Sequence, residues 1–430
     1  MNRVQMNREQ MNRTRRLFLL AAPWAGVAHA VARKRTHKKA TEQPNAAATA
    51  GDDEGEGTDS AASPANTLIG PVDTVARWAI VIDYNTGATL LDKNADVAMP
   101  PSSMTKLMTA YLTFQALKSG KLSLTQMLPV SEYAWRTGGA KTGGSTMFLD
   151  VNSNVKVEDL IRGMIVQSGN DACIVLAEGI VGSEDAFVAQ MNAMAAKLGL
   201  THSHFTNSAG LPDPDHYMSV RDIAALAAHL IRDFPEYYHY DSEKSFTYNN
   251  IHQDNRNPLV LDGTADGLKT GHTEAGGYGL CASAERNGRR VILVLNGMGS
   301  RRQRASEGER ILDWAFANFD DVTIVKQGQQ IDRATVWLGR APDVPLTAAR
   351  DLTLTMPTAW RDHVKVAVDY FQPLNAPVAA GSKVGVMNIT FPGYNMLPQQ
   401  VDLVAGNDVP ELGVFDRAIE VVRRRLGHGA

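Results

Sequence analysis

The sequence predicts a mixed α/β (α+β) protein: an antiparallel sheet with a helical subdomain, followed by a small β-sandwich domain. Three observations predict it. Between about residues 74 and 325, strand-like runs stand at both ends and helical patterns fill the middle. That order suits a sheet closed by the first and last segments of one domain. From about 326 to 405 the texture changes to short alternating runs, such as Leu352-Thr353-Leu354-Thr355-Met356 and Val364-Lys365-Val366-Ala367-Val368. Their period of two marks half-buried strands. Finally, 430 residues exceed what one hydrophobic core usually spans.

The elements follow in order. Arg13, Arg15 and Arg16 precede a short apolar run from Leu17 to Val27, and Ala28-His29-Ala30 fits a small-x-small cleavage site. Residues 1–30 therefore read as an export signal, too short in its core for a permanent membrane span. Thr14-Arg15-Arg16-Leu17-Phe18-Leu19 fits a twin-arginine signal and an ordinary secretory signal alike. Repeated Met-Asn-Arg triplets leave Met1, Met6 and Met11 as candidate starts. Residues 31–73 are rich in Ala, Thr, Ser, Gly and Pro with little to bury, so a disordered linker is expected. Trp78 to Asp83 reads as a strand with a turn at Asn85-Thr86-Gly87. Helices are expected over 157–167, 170–181 and 184–198. Gly277 to Ala284 and Val291 to Leu295 form a hairpin about Asn287-Gly288. The last segment, 406–430, reads as an amphipathic helix, with Pro410 in its first turn and Gly427 at its end. Phe415, Ile419, Val422 and Leu426 share one face, and Arg417, Arg423, Arg424 and Arg425 lie elsewhere around it. Such a helix can lie flat on an anionic membrane or dock on its own protein.

Composition excludes some classes. A net charge of -3 argues against a nucleic-acid binder, which needs a strongly basic domain. The two cysteines, Cys173 and Cys281, can pair at most once. An exported protein permits that disulfide, while the apolar surroundings of Cys173 fit two buried thiols. His216 and His272 have no spacing typical of zinc sites, so no metal or other cofactor is expected.

The chemistry concentrates in three short motifs. Ser103 and Lys106 lie in Pro101-Ser102-Ser103-Met104-Thr105-Lys106, at the start of an apolar run without Gly or Pro until Gly120. Helical spacing of i and i+3 sets the hydroxyl beside the amine. A serine hydroxyl needs a base, and a lysine serves as one only when burial or a nearby cation makes its neutral form accessible. A helix start also offers free N–H groups to a developing oxyanion. Ser168-Gly169-Asn170 follows an apolar stretch, and Lys269-Thr270-Gly271 leads into His272. Each motif is weak alone. In this order, Ser-x-x-Lys, Ser-x-Asn and Lys-Thr-Gly form the signature of serine penicillin-recognising enzymes.

From about Trp78 to Phe316 the chain resembles the low-molecular-mass penicillin-binding proteins that are serine-type D-alanyl-D-alanine carboxypeptidases. Ala79 to Gly87 is similar to that family's first strand and hairpin, and Pro212 to Asp222 to its loop between the second and third motifs. The resemblance implies the penicillin-binding/β-lactamase-like transpeptidase fold over 74–325, a β-rich domain over 326–405, and a membrane-associated tail. It implies an exported, periplasmic enzyme, peripheral on the outer face of the inner membrane. It would trim the terminal D-alanine of peptidoglycan stem pentapeptides through an acyl-enzyme, and β-lactams would inhibit it covalently. Ser103 is then the nucleophile and Lys106 its base. Ser168 relays a proton, Asn170 holds the substrate amide, and the amides of Ser103 and His272 bind the oxyanion. Lys269, Thr270 and Gly271 line the substrate. Arg304 matches the family's carboxylate-binding position, with Arg256 as a second candidate. A β-lactamase, a D,D-endopeptidase and an inactive wall-binding scaffold share much of this pattern. No Glu-x-x-Leu-Asn stands between Asn170 and Lys269, which disfavours one major β-lactamase class.

Overall fold

The computed structural model describes residues 58–425 and the backbone of Asn12–Phe18. The expected export signal, apart from that short backbone stretch, lies outside the described residues, as do most of the expected linker and Leu426. The chain divides into two compact units at the Asn318–Phe319 junction.

The first unit is built on a seven-stranded sheet. Its strands in chain order are β1 (Ser63–Thr67), β2 (Val72–Thr74), β3 (Trp78–Asp83) and β4 (Thr89–Lys93), then β5 (Gly267–Thr273), β6 (Gly277–Arg286) and β7 (Arg289–Met298). The spatial order is β5-β6-β7-β3-β4-β1-β2, all antiparallel, so the last strands close on the first through β7 and β3. Trp78, Ala79, Ile80 and Val81 are all buried, as a central strand covered on both faces requires. The hairpin between β6 and β7 turns at Asn287 and Gly288, both at positive φ, the backbone that an Asn-Gly pair favours.

The expected linker ends earlier than residue 73. Ser63–Thr67 and Val72–Thr74 are sheet strands, Ala65 is buried, and Asn66 and Thr67 pair with Asp92 and Leu91.

Six helices of this unit matter for the site: α1 (Lys106–Lys118), α2 (Val157–Ile165), α3 (Asn170–Val181), α4 (Glu184–Leu198), α5 (Val220–Asp233) and α6 (Arg301–Asn318). α1 is buried on every side from Lys106 to Phe114, the pattern of a helix threaded through a core. It packs against α3 and α5, and α5 and α6 pack on β7. Phe114 stacks on Tyr237 at 5.1 Å between ring centroids. Burial of each such large side chain contributes about 1.5–3 kcal/mol.

The second unit starts at Phe319 rather than at 326, because Phe319–Val325 is a strand paired with Leu352–Pro357. A seven-stranded sheet supplies the rest, with the backbone of Asn12–Phe18 as an edge strand beside Lys365–Gln372. Its core includes Val344, Leu346, Met356, Val368, Ile389 and Leu403. The tail helix, α7, spans Val414–Arg425 among the described residues and starts later than residue 406; residues 426–430 of the expected helix lie outside the described residues. Pro410 is outside it: its carbonyl accepts from the Arg340 N–H, and Glu411 bridges Gly339. Phe415, Ile419 and Val422 are all exposed. No helix among the described residues is long and apolar enough to cross a membrane.

Candidate active site

The site begins with a turn. Pro100 and Pro101 lead into a 3₁₀ turn, Ser102–Thr105, that runs directly into α1. Ser103 therefore lies in the turn three residues before Lys106, the first residue of the helix. The turn sits against the edge strand β5. A Cβ on Gly271 would come within 3.0 Å of the Pro101 carbonyl oxygen and 3.2 Å of the Ser103 amide nitrogen. Glycine permits this close approach without displacing its neighbours, and the Ser103 amide lies beside Gly271. The Ser102 hydroxyl donates to Thr273 Oγ1 at 3.1 Å and ties the two segments together.

Lys106 is almost completely buried, at 1% exposure. Its Nζ lies 2.8 Å from Ser103 Oγ, 2.8 Å from Asn170 Oδ1 and 2.7 Å from the Ala209 carbonyl oxygen. An ammonium would donate to all three. A neutral amine donates two protons, to Asn170 and Ala209, and turns its lone pair to the Ser103 hydroxyl. The same cage thus holds both protonation states that a base passes through.

Ser168 and Asn170 sit where α2 gives way to α3. Ser168 takes φ 60°, a left-handed conformation costly for serine, and both side chains are buried. Gly169 has no space for a side chain: a Cβ would meet Asp171 Oδ1 at 2.9 Å and the Met147 nitrogen at 3.0 Å. Asp171 fixes the facing loop by accepting from the N–H groups of Met147 and Leu149 and from the Thr146 hydroxyl. Burial raises its carboxyl above the usual range, and those hydrogen bonds pull the other way.

Lys269 and Thr270 are buried on β5. Burial pushes the Lys269 ammonium well below its ordinary pKa, and the charges of Lys106, Arg256 and Arg304 push the same way. Both candidate arginines therefore belong to one cationic cluster with Lys269. Arg304, on α6, is buried with its guanidinium 5.7 Å from the Tyr278 ring centroid. His272 packs on the same Tyr278 ring, at 4.1 Å between centroids.

Some contributors were not legible. The Ala209 carbonyl belongs to the turn Asn207–Leu211, whose three N–H groups at Ala209, Gly210 and Leu211 donate to Asn207 Oδ1. A Cβ on Gly210, at φ 82°, would lie 1.9 Å from the Ser102 carbonyl oxygen. Only the Asn and Gly of Asn207-Ser208-Ala209-Gly210 hint at such a turn. His216 is spent on scaffolding. Its Nδ1 accepts from the Thr206 N–H at 3.1 Å, which leaves Nε2–H to donate to Thr105 Oγ1 at 2.8 Å. Burial lowers its pKa to about 4, keeping the ring neutral. Cys173 and Cys281 are two buried free thiols.

A serine hydroxyl on a caged lysine amine, a buried Ser-Gly-Asn turn and a cationic edge strand come together in one candidate site. The sheet and helical subdomain around them are those of penicillin-recognising enzymes. The chain belongs to the D-alanyl-D-alanine carboxypeptidase family, which matches residues 63–300. Residues 319–411 match the C-terminal domain of penicillin-binding protein 5. D-alanyl-D-alanine carboxypeptidase DacA of Haemophilus influenzae is 40% identical over 351 residues, covering 81% of this chain and 88% of that protein. DacC of Escherichia coli is 39% identical over 355 residues, covering 82% and 88%. Among solved structures, penicillin binding protein 5 from H. influenzae aligns with a TM-score of 0.67 at 40% identity, covering 79% of this chain and 99% of that one. DacD from Francisella tularensis aligns at 0.70 and 30% identity, covering 81% and 97%.

Proposed function

We propose that this chain releases the terminal D-alanine from peptidoglycan stem peptides, with Ser103 as nucleophile and Lys106 as its base. The observation that carries this reading is the Lys106 amine held between Ser103 Oγ, Asn170 Oδ1 and the Ala209 carbonyl. Lys106 takes the hydroxyl proton as Ser103 Oγ bonds to the carbonyl carbon between the two D-alanines. The oxyanion is held by the amides of Ser103 and His272, each worth roughly 3 kcal/mol. The C–N bond then breaks, the leaving amine receives a proton through Ser168, and an ester remains on Ser103. Water, deprotonated by Lys106, releases the shortened peptide. Asn170 and Lys269 orient the substrate. Gly271 lets it approach the strand closely, and Thr270 with Arg304 and Arg256 receives the terminal carboxylate. A β-lactam acylates the same serine. The test is direct: purified protein should release D-alanine from a D-Ala-D-Ala pentapeptide and take a fluorescent penicillin at Ser103. Penicillin hydrolysis without D-alanine release would instead support a β-lactamase.

Arg304→Ala should lower kcat/KM for the peptide by roughly ten- to a hundredfold, as loss of a buried charge-assisted contact does. Penicillin acylation should fall less. Unchanged peptide kinetics would move the carboxylate to Arg256 or Thr270.

The family reading also supports export to the periplasm, with α7 touching the membrane. α7 exposes Phe415, Ile419 and Val422 together, which supports shallow insertion. Removing residues 414–430 should leave soluble D-alanine release intact and lower co-sedimentation with anionic vesicles, more so at low salt. Equal sedimentation of the two proteins would withdraw the membrane role.

A further inference from the structure

Composition marks residues 31–73 as linker, yet Thr58, Asp59 and Ser60 are tied to a part of the fold that carries a site residue. They cross the junction where β7 ends at Met298 and α6 begins at Arg301. The crossing is backbone on backbone. A Cβ on Gly299 would stand 2.0 Å from the Thr58 carbonyl oxygen and 2.8 Å from the Ser60 nitrogen, and glycine leaves that space open. Gln303 closes a reciprocal pair with the strap. Its Oε1 accepts from the Ser60 N–H at 2.9 Å, and its Nε2 donates to the Ser60 carbonyl at 2.8 Å. The same Oε1 accepts from the Gly299 N–H at 3.1 Å. Asp59 Oδ1 accepts from the Ser300 hydroxyl at 2.7 Å, and its other oxygen pairs with Arg302. Ser300 Oγ in turn accepts from the Gln303 N–H at 3.1 Å, capping the first turn of α6.

The next residue is Arg304. Its N–H donates to the Ser300 carbonyl at 3.0 Å, the first bond of the α6 ladder. The junction is fixed on its other side by β6. Met298 pairs with Tyr278, and a Cβ on Gly277 would lie 2.8 Å from the Met298 carbonyl oxygen. Tyr278 is the ring beside which the Arg304 guanidinium lies.

We propose that Thr58–Ser60 is a strap that aims Arg304, with Asp59 and Gln303 as positioning residues acting through it. The proposal rests on the assignment of Arg304 to the substrate carboxylate. A helix start is where backbone N–H groups lack intrahelical partners and the chain frays. Here the strap holds Gly299, Ser300, Arg302 and Gln303, the residues just before Arg304. The Asp59 carboxylate also suits the positive end of the helix. A guanidinium grips a carboxylate in a directional, two-pronged way, so a small rotation of that first turn is felt at the fork.

The experiment measures kcat and KM for a D-Ala-D-Ala peptide, and the acylation rate with penicillin. The proteins are the wild type, Gln303→Ala, Asp59→Ala, Asp59→Asn, Arg304→Ala, and Gln303→Ala combined with Arg304→Ala. Gln303→Ala is expected to raise the peptide KM about three- to tenfold with little change in kcat, the scale of lost hydrogen bonds. Asp59→Ala should act in the same direction. Asp59→Asn should stay close to the wild type, because its amide oxygen still accepts from Ser300. Penicillin acylation should move less than the peptide KM. Once Arg304 is alanine, Gln303→Ala should add nothing, since the two act as one unit. An unmoved KM in Gln303→Ala, equal losses on peptide and penicillin, or a full Gln303→Ala effect without Arg304 would each overturn the proposal. Should Gln303→Ala fail to fold, Asp59→Ala alters the strap alone, and a wild-type KM there overturns it equally. A wild-type peptide KM in Arg304→Ala would instead sink the carboxylate assignment, and the strap's role with it.

Discussion

Replacing Ser103 with alanine is expected to abolish the covalent penicillin adduct and to lower D-alanine release by about 10⁵-fold or more, the scale of losing a nucleophile outright. The protein should still fold. Ser103 is only half-buried, and Lys106 keeps Asn170 and the Ala209 carbonyl as acceptors when the hydroxyl is gone. The thermal midpoint should therefore stay within a few degrees of the wild type, since ~1 kcal/mol moves a domain of this size by roughly 2–4 °C. Intact-mass spectrometry after incubation with penicillin gives the answer. A stoichiometric adduct on the alanine variant would place the nucleophile elsewhere.

Lys106→Arg is expected to cost about 10²–10⁴-fold in acylation although a positive charge is kept. A guanidinium stays protonated throughout the working range and has no lone pair to offer the Ser103 hydroxyl. It is also larger, in a cage that encloses the amine at 2.7 to 2.8 Å on three sides. Raising the pH should not restore the variant, because no accessible pH deprotonates it. Wild-type acylation rates near neutral pH would remove Lys106 from the role of proton acceptor. A melting curve separates a chemical defect from a packing defect.

Much of this was legible in the chain itself. The three motifs are local, and each carries its chemistry in side chains that can be read directly: Ser103 and Lys106, Ser168 and Asn170, Lys269. β3 and the β6–β7 hairpin were legible because Trp78–Ile82 is continuously apolar and Asn287-Gly288 is a strong turn signal. What stayed hidden is non-local or belongs to the backbone. The Ala209 carbonyl has no side-chain signature. The second unit starts at Phe319 without a Gly or Pro to announce the end of α6, and the acidic pair Asp320-Asp321 does not read as strand. Pro410 fits a helix start by propensity, yet sheet pairing at Val409 and Glu411 claims that stretch first.

The contact between Ser102 and Thr273 spans 171 residues of sequence. Gly271 and the Ser103 turn meet across a similar separation. A nascent or truncated chain that lacks β5 holds Ser103 and Lys106 on their turn but has no strand to set against them. Competence to react should consequently arrive late in folding, since closing so long a loop is slow and precedes its reward. A pulse of fluorescent penicillin during refolding would then count only molecules whose sheet edge has docked, which turns the drug into a clock for tertiary assembly.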